Sequence, residues 1–352
     1  MVIRPLDIGY QITKMMRKKN KKWELFSMPS IAPIYSGIDM SGGLLDKRDT
    51  EIVDVDNMLY EVGPDANDLQ STDTVKALDA NYISSDAYKA IFYGALVYLG
   101  EDKIDLLVVG LPVNNLTKQA ELKSLMEGKH KISDTKTIEV KEALVVPQPL
   151  GGLYAALNSN DEDLEDLKSE YNLIIDPGSV TFDFLFTHGK KAIENRSDAY
   201  PGGMIKVLKA IAKSIQEKYS KPYNNLTAIE RALQKGGDKR FVKLPWKKEK
   251  EDLLDHIKNT KSVLESSVTT MKNKVGDGSE QQIDNIILVG GGASIFKKQI
   301  QHQYEHFEIK ILDTANFSKL EGLENYNPMY GNSIGYLYAG CEHAGITIDK
   351  VA

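Results

Sequence analysis

The segment Tyr171–Phe184, YNLIIDPGSVTFDF, predicts a β-hairpin with a carboxylate beside its turn. Residues 173–175 form a continuous apolar run, which is typical of a strand buried on both faces of a sheet. The run ends at Asp176, and Gly178 can bring backbone N–H groups close to a ligand because it has no Cβ. Alternating residues then lead into a second strand. We interpret the segment as a phosphate-binding hairpin that holds an acid where a metal ion or a water could lie.

The segment Arg4–Lys14, RPLDIGYQITK, repeats this pattern near the N-terminus. An apolar approach ends at Asp7, Gly9 follows, and a returning strand begins at Ile12. A single Asp-x-Gly hairpin is weak evidence for a site, because many ordinary hairpins contain Asp and Gly. Two such hairpins facing each other across a cleft can hold a polyphosphate from both sides.

A third turn lies in Ile283–Phe296, IDNIILVGGGASIF. A buried strand leads into Gly290, Gly291 and Gly292, and a helix is predicted to begin near Ala293. The three glycines expose bare backbone at a helix N-terminus, where a purine or its ribose could lie. A dinucleotide fingerprint is disfavoured, because the segment lacks the G-x-G-x-x-G spacing.

Composition bounds the remaining possibilities. A chain of 352 residues predicts two α/β domains, and a formal net charge of -6 argues against broad, non-specific nucleic-acid binding. Cys341 is the single cysteine, which excludes an internal disulfide and a multi-cysteine zinc site and favours a reducing cytoplasm. No stretch approaches the roughly 20 apolar residues of a membrane span, so we expect a cytoplasmic protein without a membrane partner.

Local patterns predict the other elements. The segment 51–63 alternates like paired strands, and the acidic stretch Asn158–Ser169 predicts a domain boundary. The basic runs 15–22 and 235–250 are interpreted as solvated turns or loops. A helix is predicted to start at Gly151 and Gly152. Helical spacing predicts further helices over residues 86–99, 116–128, 202–218, 253–274 and 327–340.

With these elements in order, the chain resembles the superfamily of actin, sugar-kinase and heat-shock-chaperone ATPases. Within it, the chain is most similar to bacterial actin-like plasmid-segregation proteins of the ParM/StbA type. LDIGYQITK resembles their first phosphate loop, VVPQPLGGLYAAL a connecting segment, IIDPGSVTFD the second phosphate loop, ILVGGGA the adenosine loop and NPMYGNSIGYLYAG the second connecting helix. The resemblance implies an α/β fold of two ribonuclease-H-like domains flanking a nucleotide cleft. Domain I would comprise residues 1–157 and 328–352, and domain II residues 158–327.

The resemblance also assigns roles to residues. Asp7 and Asp176 would hold Mg²⁺, largely through water, and Gln148 would orient the water that attacks the γ-phosphate, so Gln148 and Asp176 are the catalytic candidates. Lys14 would be a phosphate cation. The other nucleotide-binding candidates are Gly9, Tyr10, Gly178, Ser179, Thr181, Gly202, Gly290, Gly291 and Gly292.

The sequence departs from the family pattern at three positions of the two phosphate loops. Tyr10 is bulky where relatives usually have a small or hydroxyl residue. Pro177 removes a backbone donor from the second loop, and Val180 replaces a frequent Thr. These changes are compatible with the pocket, but they put individual phosphate hydrogen bonds of the family in doubt.

The function implied by the resemblance is a nucleotide-dependent, filament-forming hydrolase of ATP, with GTP as the alternative nucleotide. It would associate head to tail with itself and segregate or position plasmid DNA indirectly, through a small DNA-binding adaptor protein. Two alternatives remain at this stage: a small-molecule kinase of the same superfamily, and a non-polymerising ATPase of the chaperone or cell-division type. No convincing substrate-side general base supports the kinase.

Overall fold

The computed structural model describes residues 1–38, 46–69, 82–160, 162–235, 240–279, 282–312, 317, 319–323 and 327–352. The chain divides into two compact units. The first unit comprises Met1–Asp166 with Leu312–Ala352, and the second comprises Leu167–Ile311. Within the described ranges, no helix combines the length and the apolar character needed to cross a bilayer.

The first unit is built on a mixed sheet of strand order β10–β7–β1–β2–β3. Strands β1, β7 and β10 are parallel, and β2 and β3 return antiparallel to β1. Its strands are β1 (Ile3–Ile8), β2 (Ile12–Lys19), β3 (Lys22–Pro29), β4 (Glu51–Val55), β5 (Met58–Val62), β6 (Lys103–Ile104), β7 (Leu106–Leu111), β8 (Gly128–Lys131), β9 (Thr137–Val140) and β10 (Ala143–Pro147). Its helices are α1 (Asp86–Leu99), α2 (Gln119–Met126), α3 (Gln148–Leu157) and, from the end of the chain, α9 (Gly331–His343).

The second unit repeats this plan. Its sheet has the order β13–β12–β11–β17–β18, with β14 also paired to β12. Strands β11, β17 and β18 are parallel, and β12 forms the antiparallel hairpin with β11. Its strands are β11 (Tyr171–Pro177), β12 (Phe182–His188), β13 (Lys191–Ala192), β14 (Asp198–Tyr200), β15 (Phe241–Val242), β16 (Glu251–Asp252), β17 (Asn285–Leu288) and β18 (Ile309–Lys310). Its helices are α4 (Met204–Tyr219), α5 (Leu226–Lys235), α6 (Leu254–Lys258), α7 (Lys261–Val275) and α8 (Ala293–Gln303).

Each unit has its own hydrophobic core. In the first unit, buried side chains of β1, β7 and β10 pack with those of α1. In the second unit, buried side chains of β11, β12 and β17 pack with those of α4, α7 and α8. The duplicated plan therefore places a strand–turn–strand hairpin at the centre of each sheet.

Both hairpins, the paired strands over 51–63 and the helix over 86–99 are confirmed. Other predictions from the sequence were wrong in detail. The basic run 15–22 is mainly strand, because residues 15–19 pair with residues 22–26 across the β2–β3 hairpin and the turn is confined to residues 20–21. The predicted helix 253–274 is two helices, since Thr260 caps the end of α6 by donating its hydroxyl to the Ile257 carbonyl at 2.7 Å.

Residues 158–166 and 312–327, which the sequence assigned to domain II, fall in the first unit. One physical reason lies at the edge of β3. The Trp23 N–H donates to the Glu321 carbonyl at 2.8 Å, and the Trp23 carbonyl lies where a Cβ on Gly322 would be. This backbone contact attaches residues 321–322 to the first sheet.

Helices α3 and α9 cross in direct backbone contact. A Cβ on Gly335 would lie 1.7 Å from the Gly151 carbonyl oxygen, and a Cβ on Gly151 would lie 2.5 Å from the Asn332 Cα. Because only glycine permits this approach, the crossing fixes α3 against α9. Helix α3 begins at Gln148, three residues earlier than the sequence suggested.

We expect Gly335→Ala to lower the free energy of unfolding by about 2 kcal/mol or more, because the new methyl group meets backbone that cannot rotate away. Gly340→Ala is the matched control on the same helix, since the nearest atoms to its methyl group would belong to side chains, those of Ile3, Val108 and Leu106. Gly340→Ala should lower the free energy of unfolding by less, because side chains can move aside and alanine has the higher helix propensity. Denaturant unfolding followed by circular dichroism measures both, and equal losses would contradict the proposed backbone contact.

The second unit contains a buried carboxylate bound by several donors. Glu251 accepts hydrogen bonds from Lys218 at 2.6 Å, Lys247 at 2.8 Å and the Tyr219 hydroxyl at 2.5 Å, and it lies 3.1 Å from Nε2 of His256. Burial alone would raise the pKa of the Glu251 carboxyl, but these hydrogen bonds outweigh it and hold that pKa well below its usual value. The Glu251 carboxylate therefore links α4, β16 and α6.

This network predicts a specific pH dependence. A lowered pKa contributes stability that is present above the unfolded-state pKa, about 4.3, and is lost as the pH falls below it. Glu251→Gln should lower the free energy of unfolding at pH 7 by about 1.5–3 kcal/mol and flatten its fall below pH 4.3. The exposed Glu249→Gln serves as control and should change it by less than about 0.5 kcal/mol. Unfolding curves at pH 7, 5 and 3.5 test this, and unchanged acid sensitivity in Glu251→Gln would refute it.

Candidate functional site

The first acid predicted from the sequence lies at the end of the central strand of the first unit. Asp7 is paired with Lys14 across the β1–β2 hairpin, and its side chain is only 1% exposed. The Lys14 Nζ lies 2.5 Å from Asp7 Oδ2. Directly opposed residues of an antiparallel pair project to the same face, so the register itself places the cation beside the acid.

Gln148 reaches the same carboxylate from another element. It is the first residue of α3, directly after β10, and its Nε2 donates to Asp7 Oδ1 at 3.2 Å. Because β1, β7 and β10 are parallel, their carboxyl ends meet at one edge of the sheet. The structure therefore brings Asp7, Lys14 and Gln148 together.

Neighbouring residues hold Gln148 in place. The Tyr336 hydroxyl of α9 donates to the Gln148 carbonyl at 3.3 Å. A Cβ on Gly110 would lie 2.9 Å from Gln148 Cγ and 1.9 Å from the Tyr336 hydroxyl. The absence of a side chain at Gly110 thus leaves the space that both side chains occupy.

The second predicted acid occupies the equivalent place in the second unit. Asp176 is 5% exposed and pairs directly with Asp183, which is 1% exposed, across the β11–β12 hairpin. The two carboxylates therefore project to the same face of the sheet. The sequence interpretation missed Asp183, although its spacing was a usable signal: Asp183 follows Asp176 by the same interval that separates Lys14 from Asp7.

The glycine-rich turn after β17 lies against Asp176. A Cβ on Gly290 would be 1.9 Å from Asp176 Oδ1, and the residue has a φ of +85°, which favours glycine. The Gly292 N–H donates to the Pro177 carbonyl at 3.0 Å. The structure thus places Gly290 against Asp176 and Gly292 against the adjacent Pro177, while Gly291 is exposed in the same turn.

The turn of the second hairpin also contacts the start of α4. Met204 N–H donates to the Gly178 carbonyl at 2.9 Å, and Ile205 N–H donates to the Ser179 carbonyl at 2.7 Å. Helix α8 begins beside Pro177, so two helices start at this turn, and neither has a side-chain N-cap. The first N–H groups of α4 are thus used by the turn itself, so α4 could attract an anion here only through its helix dipole.

The structure places the remaining predicted residues less centrally. Gly9 closes the first turn, its N–H donating to the Ile12 carbonyl at 3.2 Å, and the Tyr10 ring stacks on Tyr82 with centroids 5.0 Å apart. Thr181 belongs to the second turn. Gly202 packs against Tyr200 and Ser267, whereas its neighbour Gly203 lies beside the second turn, where a Cβ would be 2.6 Å from the Gly178 carbonyl. The sequence interpretation missed Gly203 because adjacent glycines look alike without their contacts.

These groups fit Mg²⁺ and a polyphosphate. Mg²⁺ usually keeps several waters and takes one or two protein carboxylates together with phosphate oxygens. Within the described ranges no group of three or more His, Cys, Asp or Glu side chains is placed to hold a metal by itself. In the first unit Asp7 is therefore a candidate to hold such an ion through water. In the second unit, taken by itself, Asp176 and Asp183 are the candidates.

Residues 6–151 match the family model of the N-terminal domain of actin-like proteins, and residues 174–302 match that of the C-terminal domain of the archaeal actin homologue MreB-like. The chain is an actin-like protein. The predicted α/β actin-like fold is therefore confirmed. No curated protein sequence matches the chain significantly.

Solved structures agree with the family models. The archaeal actin homologue Ta0583 has a TM-score of 0.72 at 17% identity, covering 98% of this chain and 100% of that one, and it has also been solved in complex with ADP. The apo ParM of pSK41 has a TM-score of 0.63 at 21% identity, covering 99% of both chains. A ParM from Clostridium botulinum, in a 15-stranded filament, has a TM-score of 0.67 at 20% identity, covering 97% and 100%. The resemblance to actin-like proteins of the ParM type is confirmed.

The contact between Gly290 and Asp176 makes a testable prediction for this actin-like protein. Gly290→Ala should lower the free energy of unfolding by more than Gly100→Ala, because its methyl group must displace the Asp176 carboxylate. Gly100 has a φ of +78° with nothing within 4 Å of an added Cβ, so it reports backbone strain alone, about 1–2 kcal/mol. Denaturant unfolding of both variants measures the difference, and equal losses would contradict the contact.

Proposed function

We propose that this protein is a nucleotide-dependent, filament-forming ATPase. The observation that carries the proposal is the contact of Gln148 and Lys14 with the buried Asp7 carboxylate at one edge of the first sheet. A nucleotide hydrolase needs a group that orients water, a cation for phosphate charge and an acid for Mg²⁺. The three side chains have these chemical properties, and an amide can both donate to and accept from a water.

The second unit supplies the complementary half of the proposal. Asp176 and Asp183 would bind Mg²⁺ through water, and the turn 178–181, where α4 and α8 begin, would bind phosphate oxygens. Gly290–Gly292 would lie under the ribose or purine. Mg²⁺, when bound, would neutralise charge on the β- and γ-phosphates. Backbone contacts from glycine read the purine edge weakly, so GTP is the alternative nucleotide.

Self-association is the second part of the proposal. One similar structure is a ParM filament. Its subunit has the same fold, and the match covers 97% of this chain and 100% of that one. Head-to-tail association uses two different surfaces of each copy and so leaves an open end for further growth. We propose that nucleotide binding favours these contacts and hydrolysis weakens them. The filament would move or position plasmid DNA through an adaptor protein, consistent with a net charge of -6.

Assembly is tested by sedimentation. The protein should pellet with ATP and Mg²⁺ above a critical concentration, and remain in solution with ADP or without nucleotide, because hydrolysis weakens the contacts. Light scattering during ATP addition gives the time course. If the protein does not pellet in a nucleotide-dependent way even at high concentration, the proposal that it forms filaments is wrong. Turnover stimulated by a sugar or carboxylic acid instead of by protein concentration would favour a small-molecule kinase.

Hydrolysis is tested at Gln148. Gln148→Ala should bind nucleotide normally but release phosphate about 10²-fold more slowly, since the attacking water loses its orienting amide. Gln148→Glu should retain part of the rate, and the exposed Gln282→Ala should match the unchanged protein. Asp176→Ala should lower hydrolysis sharply and nucleotide affinity slightly. Phosphate release and nucleotide titration separate these effects, and unchanged turnover in both Gln148→Ala and Asp176→Ala would overturn the assignments.

A further inference from the structure

Charge is distributed unevenly over this acidic chain. Residues 46–69 contain eight Asp or Glu and two Lys or Arg, whereas residues 218–221 and 240–254 contain seven Lys or Arg and three Asp or Glu. We call residues 31–38 with 46–69 the acidic surface, and residues 218–221 with 240–254 the basic surface. The acidic surface belongs to the first unit and the basic surface to the second.

Exposed apolar side chains concentrate on the same two surfaces. Within the described ranges, every exposed large hydrophobic side chain other than Met1 lies on one of them. Scattered single apolar side chains are normal on a protein surface, but a group of them marks an interaction site. The acidic surface exposes Ile34, Ile38, Ile52, Met58 and Leu59, and the basic surface exposes Phe241 and Leu254.

The acidic surface is one face of the β4–β5 hairpin and its neighbouring loop. One face of the hairpin buries Val53 and Val55 in the core of the first unit. The other face carries Ile52, and Leu59 paired across from Asp54. The loop is attached to this hairpin, because the Tyr35 N–H donates to the Leu59 carbonyl at 2.9 Å.

The basic surface carries charge that its own contacts do not neutralise. Lys243, Lys248 and Lys250 are exposed and form no ion pair with a described residue. Lys221 lies over the Trp246 ring, its Nζ 5.5 Å from the ring centroid. Positive charge therefore lies over a half-buried aromatic ring, and Phe241 in the same segment of sequence is exposed.

We propose that the basic surface of one copy of this protein binds the acidic surface of another copy. The inference rests on the proposed function, since it names a contact within the filament. The two surfaces carry opposite charge, so they attract each other, and both expose apolar side chains that can pack together in the contact. Because the two surfaces differ, the contact is heterologous and each copy keeps one free surface for the next.

Mixing two charge-reversed variants tests the pairing. One variant carries Asp46→Lys and Asp54→Lys, Asp54 being paired with Leu59 on the exposed face of the hairpin, and the other carries Lys248→Glu and Lys250→Glu. Each alone places like charges in the contact and should raise the concentration needed for ATP-dependent pelleting about tenfold or more. An equimolar mixture should restore pelleting, because each reversed surface then meets an oppositely charged one on the other variant.

The control and the alternative outcomes separate this inference from the proposed function. Lys297→Glu with Lys298→Glu makes the same charge change on α8 and should pellet like the unchanged protein. Equal loss in that control, no loss in either variant, or loss without recovery on mixing would each overturn the pairing while leaving the filament intact. Absence of ATP-dependent pelleting in the unchanged protein would overturn both the filament and the pairing.

Discussion

A buried carboxylate at the turn of a hairpin is the constraint on which the rest of this structure depends. Burying a charge without partners is costly, so Asp7 requires the cation and the amide donor that Lys14 and Gln148 supply. The antiparallel register places Lys14 beside Asp7, and the parallel strands β1, β7 and β10 place Gln148 there. The topology of the sheet and the chemistry of the acid are thus linked.

Close backbone packing holds the donors in position. The glycine contact between α3 and α9 fixes the helix that begins with Gln148, and Gly110 leaves room for its side chain. In the second unit, Gly290 lies against Asp176 in the same way. Glycine is needed at these points because any Cβ would occupy the place of the functional group or of the backbone that supports it.

The sequence predicted what depends on local pattern. Both hairpins, their acids and the glycine turn were recognisable, because apolar runs ending in Asp and Gly need no knowledge of distant contacts. The partner of Asp176 required the strand register, which a single residue's shift would change, so Asp183 was overlooked. Gly203 was overlooked because only the folded structure shows its contact with the second turn. The division of helix 253–274 depended on the Thr260 hydroxyl, and the placement of residues 321–322 in the first unit on a backbone hydrogen bond to Glu321. Periodicity reveals neither.

The two hairpins share one plan but differ in the residue opposite the acid, which is Lys14 in one and Asp183 in the other. We interpret this difference as a separation of roles, in which Lys14 would bind phosphate and Asp176 with Asp183 would bind Mg²⁺. A crystal structure with a non-hydrolysable ATP analogue and Mg²⁺ tests that claim most directly. We expect Lys14 at the phosphates and Mg²⁺ held through water by the acids of the hairpins. A nucleotide bound away from Lys14, or Mg²⁺ without a water-mediated contact to Asp7, Asp176 or Asp183, would contradict this assignment.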